Sequence, residues 1–387
     1  MKKFIYTLVV FVFLSSVAFG QTTAIPDANF EQALIDLGYD SGSPNGIVNT
    51  ANINSITYLN IINKNISDLS GIEDFQSLES LFCDNNQLSG LDLTNLNNLQ
   101  ILYCSNNSIS NILLPNNSQF FYDLEIKYNN LTSLDLSNMG SLIYLDCSYN
   151  NISSLDLSNN LNLEEVGATS NQINQIILNS NIEELEIDQN PFSQINLSQC
   201  TNLKELYLGN INLTSLDLSN NFKLEELDIQ IAPLSILDLS SNYDLVRCDL
   251  NEILINELDL SNLVNLEEIY LNDCQNLVCL NIKNGTNVIN NLELEVEGTP
   301  NLQCINVDNV NYANGNWSSQ VDPQIVFDTN CNFPVNCLTS SIQENFLENK
   351  FLLKVTDMLG RETKPKPGGL YIYIYSDGTI DRKMEME

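Results

Sequence analysis

The residues best suited to acid–base chemistry in this sequence are paired glutamates: Glu164-Glu165, Glu183-Glu184, Glu225-Glu226 and Glu267-Glu268. Glycoside hydrolysis needs two carboxyls flanking one bond, one acting as acid and the other as base or nucleophile. Glu183/Glu184 and Glu267/Glu268 are the pairs such a hydrolase would use. Their recurrence at one phase marks a repeat consensus instead of a singular site, and adjacent residues on a strand point to opposite sides. Histidine is absent from all 387 residues. This removes Ser-His-Asp and Cys-His nucleophiles, paired-His zinc motifs and every imidazole base. Lys+Arg number 15 against 49 Asp+Glu, for a formal charge of -34. Such a chain repels nucleic-acid phosphates and an anionic membrane face. Non-catalytic binding is the expected class; a secreted hydrolase using paired carboxylates is the alternative.

The elements that must position these side chains come from a repeat. The string LxxLxL begins at Ile56, Leu78, Leu99, Phe121, Leu142 and Leu163, then at Ile182, Leu203, Leu224, Leu245, Leu266 and Ile289. Nine of the eleven steps are 21 or 22 residues, a period that sets the architecture before any local motif is considered. Each unit offers a short strand whose first, fourth and sixth positions point inward. The ninth position is Asn at Asn86, Asn107, Asn129, Asn150, Asn171 and Asn190, then becomes Ile211, Ala232, Ile253 and Cys274. A buried amide there bonds turn backbone above and below. The second half is therefore expected to close its turns differently and to be less regular.

Residues 56–310 resemble leucine-rich repeats, in the short form of bacterial internalins. The resemblance implies an α/β-type solenoid, a horseshoe with a parallel inner sheet, a short N-terminal helical cap and a small C-terminal β appendix. Each repeat buries its apolar edge only against its neighbours, so the ends must be capped. It also implies a cell-surface recognition or adhesion protein that takes a protein or glycan ligand on its concave face.

Candidate contacts are the outward strand positions. In the first half these are Tyr58, Phe82, Tyr103 and Tyr144, accompanied by Tyr128 and Tyr149. In the second half they are Glu184, Glu186, Glu205, Tyr207, Glu226, Asp228, Glu268 and Tyr270, joined by Glu165, Asp249 and Glu293. Aromatic side chains supply contact area for proteins and sugars, and they also simply suit strand surfaces. Stacked strands lie about 5 Å apart, where two like charges repel by roughly 1 kcal/mol in water and by more near a protein surface. On the other flank Asp92, Asp135, Asp156, Asp217, Asp238 and Asp259 repeat at the middle of LDL-like triplets. The repulsion calls for an offset: salt, raised carboxylate pKa values, a basic partner, or calcium, the metal best matched to all-oxygen ligands of irregular geometry. No other cofactor is expected.

The ends carry other signals. Residues 1–20 read as a signal peptide: Lys2-Lys3, an apolar run to Phe19, and small residues at Ala18 and Gly20. No later segment is long and apolar enough to span a bilayer, so the mature chain is expected to have no membrane span. In the N-terminal cap, 21–55, Pro26-Asp27 starts and Gly38 stops a helix with Phe30, Ala33, Leu34 and Leu37 on its apolar face. The stretch Tyr39 to Asn49 superficially suggests a calcium loop, but Ser41, Ser43 and Asn45 offer no carboxylate and Asn52 replaces the bidentate glutamate. Cys83, Cys104 and Cys147 sit at inward positions as small core residues, and a Cys83–Cys104 bridge would be strained. In the C-terminal cap, 311–340, a disulfide is natural for an exported chain: Cys304–Cys331 first, Cys331–Cys337 second.

Residues 341–387 leave the repeat. Alternation around Leu352 to Thr356 and Leu370 to Tyr375, with Gly368-Gly369 and Asp377-Gly378 breaks, predicts a small β-meander. This segment resembles the C-terminal sorting domain of type IX secretion cargo, with Asp357, Gly360, Arg361, Gly369, Tyr371 and Lys383 on that pattern. It departs from it in its Met384-Glu385-Met386-Glu387 ending. The resemblance implies recognition by the type IX machinery and delivery through the periplasm to the medium or outer cell surface.

Overall fold

The computed structural model describes residues 20–116, 119–333, 352–356, 361, 370–375 and 380–384. The signal-peptide residues 1–19 and the predicted sorting residues Asp357, Gly360 and Gly369 lie outside the described residues.

Twelve parallel strands form one continuous sheet in chain order, from Tyr58–Asn60 through Ser80–Phe82 and Ile101–Tyr103 to Glu293–Glu295. Each contributes the inward fourth position of its unit, flanked by the first and sixth. Leu99, Leu102 and Cys104 illustrate the rule, all of them buried. Shorter parallel strands on the other flank form separate sheets of two to four strands, such as Gly90–Asp92 with Asn111–Leu113. This is a parallel-sheet solenoid of the leucine-rich-repeat type, as the period predicts.

The asparagine ladder supplies turn hydrogen bonds that a strand ladder does not reach. Asn150 Nδ2 donates to the carbonyls of Ile126, Cys147 and Ser148 at 2.9–3.3 Å, and its Oδ1 accepts from Leu131 N at 3.0 Å. Immediately before each ladder position the backbone turns left-handed: Asn85, Asn106, Tyr128, Tyr149, Ser170 and Gln189 have φ between 53 and 56° or, at Tyr128, 52°. The second half departs from the expectation of irregular turns. There the strands lengthen, to Glu205–Gly209, Glu226–Ala232 and Arg247–Ile253, and stay in register. Backbone pairing takes over the role of the missing amides, at the cost of a β-branched residue, Ile231, at φ 52°.

A second ladder, not anticipated from sequence, runs along the opposite flank. Asn160, Asn221 and Asn242 are buried and donate to carbonyls one repeat earlier, as from Asn242 to Leu218 and Asn221 at 3.1 and 2.9 Å. Beside it each LDL aspartate accepts the backbone N–H two residues on, at 2.9–3.0 Å, in Asp92, Asp135, Asp156, Asp217, Asp238 and Asp259. That local bond accounts for the Asp-x-Ser or Asp-x-Thr turn, and the bonds from Ser137 and Ser158 hold the Asp135 and Asp156 carboxyls below the usual range.

The N-terminal cap holds more than a helix. Thr22–Ala24 pairs antiparallel with Ile47–Asn49, and a short helix Thr50–Ile53 follows. In the main helix, Ala28–Asp36, Asp27 caps Asn29 N and Phe30 N through Oδ1, while its Oδ2 accepts from Ser67 N, Ser67 Oγ and Asp68 N at 2.7–3.0 Å. One carboxylate thus caps the helix and docks it on the first repeat. Buried Glu31 receives Asn45 N and Gly46 N at 2.6 and 2.7 Å, which orders the loop once compared with a calcium site. Leu37, expected on the apolar face, is exposed because the helix has ended there.

The last repeat corrects the predicted phase. Glu268 pairs with Glu293, a step of 25, so Leu294 takes the central inward position and Ile289 is 80% exposed. The loop through Gly285, at φ 83°, absorbs the extra residues. Strand pairing continues past it, with Cys304–Asn306 against Val326–Asp328 and the helix Val310–Asn316 between them. Buried Trp317 donates from Nε1 to Leu292 O at 2.9 Å. Cys304 is bonded to Cys331, which excludes the Cys331–Cys337 alternative. Cys279, which sequence reasoning did not single out, is disulfide-bonded as well. Cys83 and Cys104 are buried free thiols, without the bridge considered for them. Leu352–Thr356, Leu370–Tyr375 and Ile380–Met384 form an antiparallel meander in which Tyr371 pairs with Lys383. Arg361 is exposed. No described helix is long and apolar enough to cross a membrane.

Candidate recognition face

The long sheet presents two outward columns because alternate residues of each strand face away from the core. Strand register places Tyr58, Tyr144, Glu184, Glu205, Glu226 and Glu268 in the first column. Phe82, Tyr103, Glu186, Tyr207, Asp228 and Tyr270 lie in the second. All twelve predicted contact residues therefore share one face. Tyr128 and Tyr149 do not; they occupy left-handed turns at its rim and stack at 4.2 Å.

The N-terminal third of the face is aromatic. Phe82 lies 5.3 Å from Tyr58 and 5.1 Å from Tyr103, the latter edge-on. Tyr103 donates to Asp123 Oδ2 at 2.9 Å, and burial together with that carboxylate pushes its phenol pKa up.

The remainder is acidic, with two cations set into it. Lys127 reaches Asp146 at 3.1 Å and Glu125 at 3.7 Å. Arg247 interrupts the glutamate column and contacts Glu226, Asp249 and Glu268 at 3.4–3.6 Å, with its guanidinium 5.5 Å from the Tyr270 ring centre. Between these two bases no described cation lies within ion-pair distance of Glu184, Glu186, Asp188 or Asp228. Burial first, then Glu205, Glu186 and Glu165, lifts the Glu184 carboxyl to about 7. Burial and then Asp249 lift Asp228 to about 6. Glu186 and Asp188 are raised too, mainly by burial.

A depression of about 490 Å³ opens in this stretch, with Gly209 in its lining. A Cβ on Gly167 would stand 2.9 Å from Asp146 Cγ, and one on Gly209 would stand 2.7 Å from Asp188 Oδ1. The missing side chains leave room that neighbouring carboxylates lean into. Lys127, Asp146, Glu186, Asp188 and Asp228 line the depression, with Tyr149 and Tyr207 among its walls. Sequence reasoning missed Gly167, Gly209, Asp188 and the linking role of Arg247. The signal was present as glycine at outward strand positions where other units carry side chains.

A second depression, about 600 Å³, opens on the flank beside Leu69, Ile72 and Leu113, where a 3-10 turn, Ile72–Asp74, replaces a flank strand. Its carboxylates are engaged locally: Asp68 by Ser70, Glu73 by Gly71 N and Asp92 by Thr94. In the first depression Asp228 accepts from Gln230 Nε2 at 3.1 Å and Asp188 from Thr169 Oγ1 at 3.4 Å, yet neither these two nor Glu186 has a described cation within ion-pair distance. The paired glutamates do not converge either. Glu183 binds Lys204 at 2.6 Å while Glu184 joins the sheet column. Among the described residues no group of three or more His, Cys, Asp or Glu side chains is placed to hold a metal ion. The expectation of calcium along the acidic columns therefore has no described site.

No protein-family model and no curated protein matches the chain. Solved structures do. An internalin, InlF of Listeria monocytogenes, is 22% identical, with TM-score 0.52 over 79% of this chain and 92% of its own. A leucine-rich-repeat protein of Leptospira interrogans is 20% identical, with TM-score 0.50 over 67% of this chain and 74% of its own. A chain of the LRIM1/APL1C complex is 20% identical, with TM-score 0.51 over 77% of this chain and 58% of its own. At these identities the likeness speaks for architecture, and it agrees with the repeat period and strand register: the chain has the leucine-rich-repeat fold.

Proposed function

We propose that this is an exported, non-catalytic recognition protein whose long sheet binds a protein or glycan ligand at the cell surface. One observation carries the reading: twelve strands in register display half-exposed aromatic and acidic side chains in two columns that the fold's own core does not use. Tyr58, Phe82 and Tyr103 give an aromatic platform at one end, and the carboxylates give specificity at the other. The partnership named in the LRIM1/APL1C complex supports protein recognition by this architecture. Residues 1–20 and 341–387 are read as export signals, the second for type IX secretion.

The test is ligand capture by residues 21–387 immobilised against cell-surface extracts, compared with a Phe82→Ser, Tyr103→Ser, Tyr144→Ser triple variant. Loss of capture with an unchanged far-UV CD spectrum is expected; retained capture would remove the aromatic columns from the reading. A saturable glycosidase or protease rate that vanishes on unfolding would replace it with the hydrolase. Deleting 341–387 should leave a folded solenoid in the periplasm of a type IX-competent host, and unchanged surface delivery would contradict the sorting assignment.

A further inference from the structure

The stretch of the long sheet between Lys127 and Arg247 has a chemistry that narrows the ligand class, given the recognition reading above. We propose that this part of the face docks a basic polypeptide segment, with a lysine or arginine side chain seated in the depression beside Gly209.

Charge complementarity and shape converge on this occupant. Glu165, Glu184, Glu205 and Glu226 follow one another on adjacent strands of the first column. Where the chain itself supplies a cation to the same columns, it sits among carboxylates and against an aromatic ring: Arg247 bridges Glu226, Asp249 and Glu268 over Tyr270. That internal arrangement is a template for what three carboxylates of the depression lack. There, too, Glu186, Asp188 and Asp228 stand beside a tyrosine wall, Tyr207, but the one cation in the lining, Lys127, is paired with Asp146 and Glu125, and no described cation lies within ion-pair distance of these three. The cavity of about 490 Å³ exceeds the volume of one long basic side chain. A guanidinium or ammonium entering it meets acceptors on several strands, and a ring face beside them adds cation–π attraction. A neutral glycan would leave these clustered carboxylates uncompensated. An anionic one would be repelled.

The probe is a fluorescein-labelled nona-arginine peptide, titrated by anisotropy against residues 21–387 at pH 7.5 in 50 and 300 mM NaCl. A neutral glycine-serine nonapeptide and a cello-oligosaccharide serve as competitors. Three variants separate site from bulk charge. Glu186→Gln with Asp228→Asn removes two depression carboxylates; Gly209→Leu narrows the depression; Asp135→Asn with Asp156→Asn removes the same charge from the flank. Saturable binding that weakens at least tenfold in the first two, and less than twofold in the third, supports the proposal. Equal weakening by the flank variant would show nonspecific attraction to a polyanion and overturn it. So would the absence of peptide binding, or competition by the oligosaccharide at equal concentration. If the peptide fails while the aromatic triple variant still abolishes ligand capture, recognition by the face stands and only the basic-partner class falls. If neither is affected, the face itself is not the binding surface. Unfolding midpoints for each variant exclude loss by misfolding, and Asp228→Asn alone is the second, milder probe should Gly209→Leu fail to fold.

Discussion

Glu184→Gln should stabilise the protein, and only at alkaline pH. The carboxyl of Glu184 titrates at about 7 in the folded chain, against 4.5 for an unperturbed glutamate. Burial contributes most, followed by Glu205, Glu186 and Glu165. The folded form therefore holds the proton more tightly than the unfolded form. Stability contributed by the protonated carboxyl is fully present below about pH 4.5, is lost as the pH rises to 7, and changes little above that. Each pK unit corresponds to about 1.4 kcal/mol, so the unscreened difference at pH 8 is roughly 3 kcal/mol. Water and salt reach the half-exposed side chain, and this reduces the expected effect to about 1 kcal/mol. Gln keeps the shape and a donor toward Glu186, which protonated Glu184 also provides. Urea unfolding at pH 8 should show the variant more stable by that amount, or about 2 °C in Tm. At pH 5 the two proteins should be indistinguishable, since the wild-type carboxyl already carries its proton. In 0.5 M NaCl the gain at pH 8 should shrink. A destabilised variant at pH 8, or an equal gain at pH 5, would refute the account of the glutamate column as mutually repelling.

Arg247→Gln should act in the opposite sense, costing about 1–2 kcal/mol at pH 8 by leaving Glu226, Asp249 and Glu268 without their shared cation; the loss should diminish in high salt when followed by urea unfolding. Asn150→Ala strands the carbonyls of Ile126, Cys147 and Ser148 and the N–H of Leu131 inside the solenoid, for an expected loss of about 2–4 kcal/mol in the same assay. Ile231→Asn relieves a β-branched residue at φ 52° and should raise stability by about 1 kcal/mol, read as a higher Tm. Cys331→Ser opens the Cys304–Cys331 link, 27 residues apart. It should cost up to about 3 kcal/mol and expose the C-terminal end to limited proteolysis before the repeats that precede it.

Much of the architecture was legible because one rule repeats. A central leucine every 21 or 22 residues fixes strand, register and the outward columns together, and the asparagine at the ninth position fixes the turn. Exceptions to the rule were less legible. Ile289 continues the apolar pattern in sequence, yet the 25-residue step between Glu268 and Glu293 turns it outward. The cap strands Thr22–Ala24 and Ile47–Asn49 are only three residues each, too short for alternation to register. The disappearance of asparagine after Asn190 suggested irregular turns, whereas backbone pairing simply extends through Ile229 and Leu250. The columns themselves could be listed from sequence. The depression could not, because its lining gathers residues of successive repeats, from Lys127 and Asp146 to Gly209 and Asp228.

What holds this solenoid together is separable from what it displays. The leucine core, the two asparagine ladders and the Asp-x-Ser turns satisfy most of the backbone, and the outward columns of the long sheet add little to this beyond the bonds from Ile62 N to Asn60 and from Ser148 N to Asp146. Those columns are free to vary, and consistency across local rules would fill them with alternating charges or threonines. Instead the chain stacks glutamates in register, keeps carboxyls half-buried at raised pKa, and adds back only Lys127 and Arg247 as internal relief. Other acidic positions show that the chain can neutralise carboxylates by design: the flank aspartates each accept a backbone N–H, and Glu31 and Asp27 are fully engaged in the cap. Glu184, Glu186, Asp188 and Asp228, half-buried and without a described ion pair, share one stretch of one face, next to tyrosines and a cavity. Local destabilisation concentrated where the fold does not need those residues is the pattern expected of a surface selected for a partner.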